Sequence, residues 1–419
     1  MKIKINSKRQ LYSLLLILSY FVETCCFRLL PIPQSMQKIW GPDRHFFLLL
    51  IGIIFCGFFY TRNTRIFKEC SFTTRYITGL IVCLMLLNIY SVARYSNQNM
   101  STILINEVDY LLVIFSYQFY YFMKKYGVDS FFKILNIPVV IYALLTFAQQ
   151  MIYKFYGIVF LQDINLMVVR NDALRLSVGS LCAFWSLYNF YRIVNRNKNK
   201  FFYHLLSFLI ESAALIFVNA TRALIFAYAV CLLLALLLNG DSTKHSIRLF
   251  LLFITIGVLA VSSGFLDYFI TSFSIESFSD NEARLGAFIY YWNEFLRSPI
   301  FGDGFIVNSS YYTIKYGPLL NFYYVDVGII GALGEIGIFS LFIVIYPLVH
   351  WIRVYKHAMN NGNRSQYGLF LVAICYVIFT LPTLLITNNG RSFLFPVFFA
   401  MFEVLSKDGK LGNTITLST

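Results

Sequence analysis

Charged residues are scarce in this chain of 419 residues: 13% are Asp, Glu, Lys or Arg, whereas 58% are hydrophobic and 19% are aromatic. Soluble domains normally carry about 25% charged residues, so this scarcity excludes an ordinary soluble fold. The apolar side chains must face lipid or one another. The longest apolar runs span 45–61, 76–93, 249–267, 324–351 and 370–387. Each run is close to the roughly 20 residues that cross the core of a bilayer.

Cysteine and histidine are too few and too scattered to form a metal centre. The eight cysteines show neither a zinc-ligand spacing nor a disulfide framework, even though Cys25 and Cys26 are adjacent. Among the five histidines, only His45 falls on the predicted outer side of the membrane. The sequence therefore predicts no metal site and disfavours a mechanism that needs an external imidazole base.

The apolar segments predict an all-α fold, a polytopic transmembrane bundle of about 12 helices. We treat residues 1–419 as a single integral membrane domain. The predicted helices span 10–28, 45–61, 76–93, 103–123, 134–153, 176–191, 205–219, 223–239, 249–267, 324–350, 368–386 and 391–406. The first of them has no small-residue cleavage site after Leu11–Ser19, so we predict an uncleaved helix.

The distribution of basic residues predicts the orientation. Most of the 34 lysines and arginines fall in short loops on one side, which places both termini in the cytoplasm by the positive-inside rule. The net charge of +14 would suggest nucleic acid in a soluble protein. Because the charges are spread over many loops and form no single patch, we expect no nucleic-acid partner.

One predicted outer loop, residues 268–322 between predicted helices 9 and 10, is unusually long for a compact domain. Within it, Ser279–Glu282 matches a capping box and predicts the start of a short amphipathic helix over 283–296. The helix would end before Pro299 and Gly302–Gly304. Its predicted apolar face consists of Leu285, Phe288, Ile289 and Trp292. This helix is expected to lie at the outer interface, and a structural lid without chemistry is the alternative.

Three arginines lie on the predicted outer side, where the positive-inside rule disfavours basic residues. Arg222 interrupts the apolar stretch 205–238, which at about 50 Å is too long for one membrane helix and must turn near Asn219–Arg222. Arg284 lies in the first turn of the loop helix, and Arg175 ends the outer segment 154–175. Snorkelling to lipid phosphate or simple exposure are the structural alternatives. Together the three guanidinium groups suggest binding of phosphate or diphosphate.

Carboxylates at unusual positions form a second group of candidates. Glu211 and Glu335 fall within predicted membrane helices, where an ionisable side chain is costly. For Glu211 a neutral or paired carboxylate between helices is the alternative. Asp326 lies at the outer end of predicted helix 10, where it could accept a proton from a hydroxyl or act as a helix N-cap.

Several short motifs resemble a known family. They are Thr221–Leu224 at the turn between two helices, Ala283–Gly286 followed by Trp292, the stretch Ser298–Gly304, and a helix that opens with Tyr324–Asp326 and continues through Gly334–Gly337. In this order they resemble the O-antigen and capsular polysaccharide repeat-unit polymerases, relatives of the O-antigen ligases. The motifs cover about residues 170–340. Ligases carry a histidine near the position of Asp326, and this departure favours a polymerase.

The resemblance implies a metal-independent membrane glycosyltransferase without a cofactor. It would join oligosaccharide repeats carried on polyprenyl diphosphate at the outer face of the bacterial cytoplasmic membrane. The product would be an O-antigen, a capsule or an exopolysaccharide, and a chain-length regulator, a flippase and membrane lipids are the implied partners. The expected catalytic residues are Asp326 and Arg284, the diphosphate ligands are Arg222, Arg284 and Arg175, and the sugar-stacking candidates are Trp292, Tyr291 and Tyr324.

The sequence is also compatible with three other functions. A ligase-type transferase would use the same lipid-linked glycans. A flippase or other transporter normally shows internal repeats and charges near the midplane of broken helices, whereas the charges noted above gather on one face. A membrane protein that organises an assembly complex without catalysis is the third.

Overall fold

The computed structural model describes residues 7–24, 44–62, 64–161, 168–170, 173–195, 200–219, 221–237, 277–318, 320–361, 364–387 and 391–411. Most of these residues are helical. The predicted ninth helix, 249–267, lies outside the described residues.

The α-helices of the described residues differ widely in length. They are α1 (Ser7–Glu23), α2 (Arg44–Arg62), α3 (Arg65–Glu69), α4 (Ser71–Arg94), α5 (Met100–Asn106), α6 (Val108–Leu111), α7 (Ser116–Tyr126), α8 (Val128–Tyr156), α9 (Cys182–Val194), α10 (Phe201–Ala213), α11 (Arg222–Leu237), α12 (Ser277–Arg297), α13 (Tyr312–Lys315), α14 (Gly328–Ile336), α15 (Tyr346–Asn361), α16 (Arg364–Thr380) and α17 (Leu394–Leu411). Strands β1 (Val168–Arg170) and β2 (Ala173–Arg175) form a small antiparallel hairpin.

Within the described part of the chain, three helical segments are long and apolar enough to cross a membrane. They are α4, α8 and the segment Phe201–Asn219, in which α10 continues into a π turn. Shorter apolar helical segments occur at Phe47–Phe58, Ala223–Leu237 and Tyr367–Thr380. The all-helical character is thus present, and the figure of about 12 membrane helices stays a prediction.

The exposure pattern of α4 is the reverse of that in a soluble helix. Met85 and Ile89 are 55% and 60% exposed, whereas Asn88 and Ser91 are fully buried. A hydrocarbon solvent favours this arrangement, because apolar side chains lose nothing there and polar groups must find partners inside the protein. The surface of α4 is therefore suited to lipid.

The chain divides into two compact units. The first contains Met1–Ile77, Val108–Ile225 and Asn389–Thr419, and the second contains Thr78–Glu107 and Phe226–Asn388. The interior of the first unit is rich in aromatic rings, which pack against one another in tilted and edge-to-face arrangements. Phe131, Phe132 and Trp185 are fully buried and contact one another, and the indole of Trp185 donates a hydrogen bond to the carbonyl oxygen of Phe132 at 3.0 Å.

Two predicted single helices are interrupted in the structure. The predicted span 324–350 breaks at Gly337, whose φ of 58° ends α14. The predicted span 103–123 is divided into α5, α6, a 3₁₀ turn and α7. Apolar content alone predicted one helix in each place, and it does not detect a break that local backbone geometry imposes.

Two other boundaries were predicted more closely. The turn near Asn219–Arg222 is confirmed, because one helical segment ends at Asn219 and α11 begins at Arg222. The outer-loop helix is longer than predicted and begins at Ser277. Ser279 therefore lies inside α12, and the predicted helix start at the capping box is wrong.

Candidate functional site

In the second unit, α12 packs directly against α14. Ala287 and Tyr291 of α12 form a buried cluster with Val327, the residue that precedes α14. Gly334 permits this approach, since a Cβ at that position would lie 2.7 Å from the Cβ of Tyr291. The two helices therefore pack closely against each other, whereas the opposite face of α12 is exposed.

The turn Ser298–Gly304 folds back onto the end of α14. Three backbone hydrogen bonds connect them: Asp303 to the carbonyl of Gly334 at 2.8 Å, Gly304 to Glu335 at 2.7 Å, and Ile338 to Pro299 at 2.9 Å. Two of these bonds satisfy carbonyl groups at the helix C-terminus that lack partners within the helix. Gly302 has a φ of 63°, and a Cβ there would lie 2.4 Å from the Gly334 oxygen, so the turn requires glycine.

Arg94, the last residue of α4, holds this turn in place. Its guanidinium donates hydrogen bonds to the carbonyl oxygens of Gly302 at 2.9 Å and Asp303 at 3.3 Å, and to the hydroxyl of Tyr90 at 2.7 Å. A second nitrogen lies 3.5 Å from the Asp303 carboxylate. One arginine thus binds both the backbone and the side chain of the turn.

Two further side chains near the end of α4 fix the residues that follow the turn. The hydroxyl of Ser91 accepts the N–H of Phe305 at 2.8 Å. The side chain of Gln98 accepts the N–H of Val307 at 2.7 Å and donates to the carbonyl of Phe305 at 3.2 Å. The backbone from Gly302 to Val307 is consequently held by polar contacts along its length.

Asp303 of the turn and Glu294 of α12 form a pair of buried carboxyl groups. Asp303 is 3% exposed and Glu294 of α12 is 6% exposed. Glu294 accepts two hydrogen bonds from Arg297 at 2.8 and 3.1 Å. Burial, and then the neighbouring Glu294 carboxylate, raise the pKa of Asp303 well above its ordinary range, and Arg94 opposes this rise. Asp303 therefore retains its proton to a higher pH than an exposed aspartate.

The backbone segments that adjoin two of the three predicted arginines, Arg175 and Arg222, contact each other. Arg175 ends β2, and the next residue, Leu176, donates its N–H to the carbonyl of Val218 at 3.4 Å. The side chain of Asn219 donates back to the carbonyl of Leu176 at 3.4 Å. The chain then turns, and Arg222 opens α11. The side chains of Arg175 and Arg222 lie outside the described part of the structure.

The remaining predicted residues belong to the second unit. Arg284 is exposed on α12. Asp326 is half-buried in the 3₁₀ turn Tyr324–Asp326, and its N–H donates to the carbonyl of Tyr323 at 3.0 Å. The N-cap position of α14 is occupied by Val327, so the alternative role of Asp326 as that N-cap is wrong.

The predicted sugar-stacking residues differ in exposure. Trp292 is 40% exposed and Tyr324 is half-buried, whereas Tyr291 is 2% exposed. The hydroxyl of Tyr291 lies 2.5 Å from the carbonyl oxygen of Lys315 and 3.0 Å from that of Phe322. In this structure the ring of Tyr291 is enclosed by packing and is not available to stack on a sugar.

Sequence reasoning missed Arg94, Asp303 and Glu294. Arg94 shows the same signal that singled out the other arginines, since it is a cation at the outer end of a predicted helix. Glu294 and Asp303 gave no such signal, because carboxylates are ordinary in an outer loop. The one histidine expected outside, His45, is buried and pairs with Asp109.

No protein-family model matches this chain, and no curated protein sequence matches it at a significant level. Within the described ranges, no group of three or more His, Cys, Asp or Glu side chains could hold a metal ion. The fold and the site define an all-helical protein with candidate membrane-spanning helices.

Proposed function

We propose that this chain is a bacterial inner-membrane glycosyltransferase that polymerises polyprenyl-diphosphate-linked oligosaccharide repeats. In this proposal about 12 helices cross the membrane, both termini are cytoplasmic, and the reaction takes place at the outer face. The product is a surface polysaccharide such as an O-antigen, a capsule or an exopolysaccharide. Membrane lipids, a chain-length regulator and a flippase are the proposed partners.

The observation that carries the proposal is the contact between the segment after Arg175 and the segment before Arg222. Leu176 and Val218 share a backbone hydrogen bond, and Asn219 adds a side-chain bond to Leu176. The backbone next to Arg175 and the backbone close to Arg222 therefore meet, although the two residues are far apart in sequence. Guanidinium groups are well suited to bind the several oxygen atoms of a diphosphate.

The chemistry requires stabilisation of a leaving group. In the transfer step, the bond between the anomeric carbon of the growing chain and the diphosphate oxygen breaks. A bond from that carbon to a hydroxyl oxygen of the incoming repeat forms. The hydroxyl proton passes to Asp326, and polyprenyl diphosphate leaves with the bonding electrons. We assign Arg222 and Arg284 to the developing diphosphate charge, with Arg175 in support.

Sugar contacts belong to the aromatic residues that remain accessible. We assign stacking on the repeat unit to Trp292 and Tyr324, since an aromatic face packs well against the apolar face of a sugar ring. The Ser298–Gly304 turn and α14 would hold α12, and with it Arg284 and Trp292, at a defined place. No cofactor is part of the proposal.

The test replaces Arg284 by Ala and by Lys and follows the ladder of polysaccharide lengths in a host that depends on this chain. Arg297→Ala is the matched control, since Arg297 lies on the same helix but is paired with Glu294. We expect Arg284→Ala to abolish long chains and to leave a single repeat exposed at the cell surface. Arg297→Ala should keep the ladder.

Three results would contradict the proposal. Long chains made by stably expressed Arg284→Ala and Arg222→Ala variants would remove the arginine roles. A repeat that stays on the cytoplasmic side would indicate a flippase, because a polymerase defect leaves the repeat already transported. A Ser309→Cys variant that cannot be labelled from outside would overturn the topology.

A further inference from the structure

The first unit contains a polar cluster between α8, α9 and α10. Its members are Asn136 of α8, Asn189 of α9, and His204 and Glu211 of α10, and all four side chains are fully buried. Polar groups in such a place are costly unless hydrogen bonds satisfy them. A cluster with a purely structural role should therefore have a hydrogen-bond partner for each of its buried polar atoms.

The two asparagines use both of their amide N–H groups. Asn189 donates to the oxygen of Asn136 at 2.6 Å and to Oε2 of Glu211 at 2.9 Å. Asn136 donates to the hydroxyl groups of Tyr203 and Ser207, each at 2.8 Å. This consistent pattern fixes the orientation of both amides. Neither amide has a further proton to give.

The histidine and the glutamate are each left with one open position. The side-chain oxygen of Asn189 lies 2.8 Å from Nδ1 of His204, so Nδ1 must be the donor and Nε2 must be an acceptor in the neutral ring. Among the described residues, Nε2 of His204 and Oε1 of Glu211 have no hydrogen-bond partner. The cluster is thus satisfied at its centre and unsatisfied at two buried atoms.

The nearby cations do not neutralise Glu211. Lys133 and Arg192 instead pair with Asp129 at the start of α8. Among the described residues, an ionised Glu211 would therefore be a buried charge without a paired cation, and a neutral one would carry a proton on a buried oxygen. A buried polar cluster that serves only a structural role is expected to satisfy all of its hydrogen-bonding atoms, and this cluster leaves two of them without partners.

The position of Glu211 is also distinctive. It lies near the middle of the 19-residue apolar segment Phe201–Asn219, and the helix changes to a π turn at Ala214, three residues later. Ionisable residues in the membrane interior and π turns within helices are both enriched at functional positions. Among the described titratable groups, Cys182 and Tyr203 interact with Glu211, and His204 binds the same Asn189 that binds Glu211. Tyr188, Asp129, Lys133 and Arg192 lie beyond them.

We infer that Glu211 is a reversible proton-binding site inside the membrane, with Oε1 as the atom that gains and loses the proton. The ligand is a proton because the cluster supplies one carboxylate, whereas Ca²⁺ or Mg²⁺ requires several oxygen ligands. Asn189 binds Oε2 in both states and leaves Oε1 for the exchange. This inference is independent of the glycosyl-transfer proposal.

Glu403 offers a matched control in the same unit. It is 3% exposed, and its Oε1 accepts hydrogen bonds from the N–H and the hydroxyl of Thr73 at 2.8 and 3.0 Å. Unlike Glu211, Glu403 has no buried carboxylate oxygen that lacks a hydrogen-bond partner among the described residues. A comparison of Glu211 with Glu403 therefore distinguishes the effect of burial from the effect of a carboxylate oxygen that lacks a hydrogen-bond partner.

The experiment treats the purified full-length chain in detergent with dicyclohexylcarbodiimide, an apolar reagent that modifies protonated carboxyl groups, and maps the modified peptides by mass spectrometry. We expect the Glu211 peptide to react much faster than the Glu403 peptide. Its rate should fall about tenfold for each pH unit above the titration point, as the protonated fraction falls. Glu211→Gln should remove the modification, and Glu403→Gln should leave it unchanged.

Infrared spectroscopy on the same protein provides a second measurement that does not depend on reagent access. The carbonyl band of a protonated carboxyl group should decrease as pH rises, and Glu211→Gln should remove that change. A wild-type Glu211 peptide that reacts at a rate independent of pH would overturn the inference. So would the absence of any band that titrates and that Glu211→Gln removes.

Discussion

The guanidinium of Arg94 donates a hydrogen bond of 2.9 Å to the carbonyl oxygen of Gly302, 208 residues further along the chain. This contact joins the end of α4 to the turn that follows α12. It also brings Arg94 to the carboxylate of Asp303. The turn thus depends on a residue that the local sequence around it does not reveal.

Arg94→Ala should destabilise the second unit by about 1.5–3 kcal/mol, because buried carbonyl groups lose a charged donor. Arg94→Lys should recover only part of that loss, since an ammonium group cannot span the same acceptors. Thermal unfolding in detergent measures both. Arg75→Ala is the control and should change stability by less than about 0.5 kcal/mol, because Arg75 is an exposed arginine of the same helix whose hydrogen bond in the described part of the chain is to Ser71 of that helix.

Gly302→Ala should be destabilising by about 1–3 kcal/mol, because alanine is strained at a φ of 63° and its Cβ would meet the Gly334 oxygen at 2.4 Å. Gly57→Ala is the matched control. Gly57 lies inside α2, and a Cβ added there would have nothing within 4 Å, so alanine should stabilise the helix by about 0.5–1 kcal/mol. Equal melting temperatures for the two variants would contradict the close approach of the turn to α14.

The stability of the second unit should fall as pH rises from the ordinary range of an aspartate. Because the pKa of Asp303 is raised in the folded state, the folded chain binds more protons than the unfolded chain between the two pKa values. Stability therefore decreases with pH in that window and levels off above the raised pKa. Asp303→Asn should flatten this dependence in unfolding measurements at a series of pH values. An unchanged slope would show that other groups cause it.

Tyr291→Phe and Trp292→Ala should separate packing from sugar binding. Tyr291→Phe removes the hydrogen bonds to the carbonyls of Lys315 and Phe322 and should cost about 1 kcal/mol of stability. Trp292→Ala removes a partly exposed ring and should shorten the polysaccharide ladder with little change in melting temperature. A ladder of normal length in Trp292→Ala would remove Trp292 from the proposed sugar contact.

The helical class and the main helix break followed from the sequence because they depend on composition and length. An apolar stretch of about 50 Å cannot stay in a roughly 30 Å hydrocarbon core as one helix, so a turn near Arg222 was required. The interruptions at Gly337 and around Glu107 were not predictable in this way. At Gly337 the chain is held by Ile338, whose N–H bonds to the distant carbonyl of Pro299.

The candidate site likewise contains some residues that the sequence predicted and others that only the structure identified. Arg284, Arg222 and Arg175 were recognised as cations on the side where the charge bias disfavours them. Tyr291 was predicted to stack on a sugar, and only the structure places its ring inside the packing of α12. The carboxyl pair of Glu294 and Asp303 likewise depends on how the turn folds back.

By itself, the sequence determined that apolar helices form, which side of them is expected to face outward, and which cations stand out there. Local composition and charge are sufficient for these conclusions, because each residue contributes independently of its distant neighbours. Only the tertiary structure decided that Arg94 holds the Gly302–Asp303 turn and that Glu211 is left with one unsatisfied oxygen. Both depend on side chains that meet across tens to hundreds of residues, and no local pattern records which groups will lie within hydrogen-bond distance.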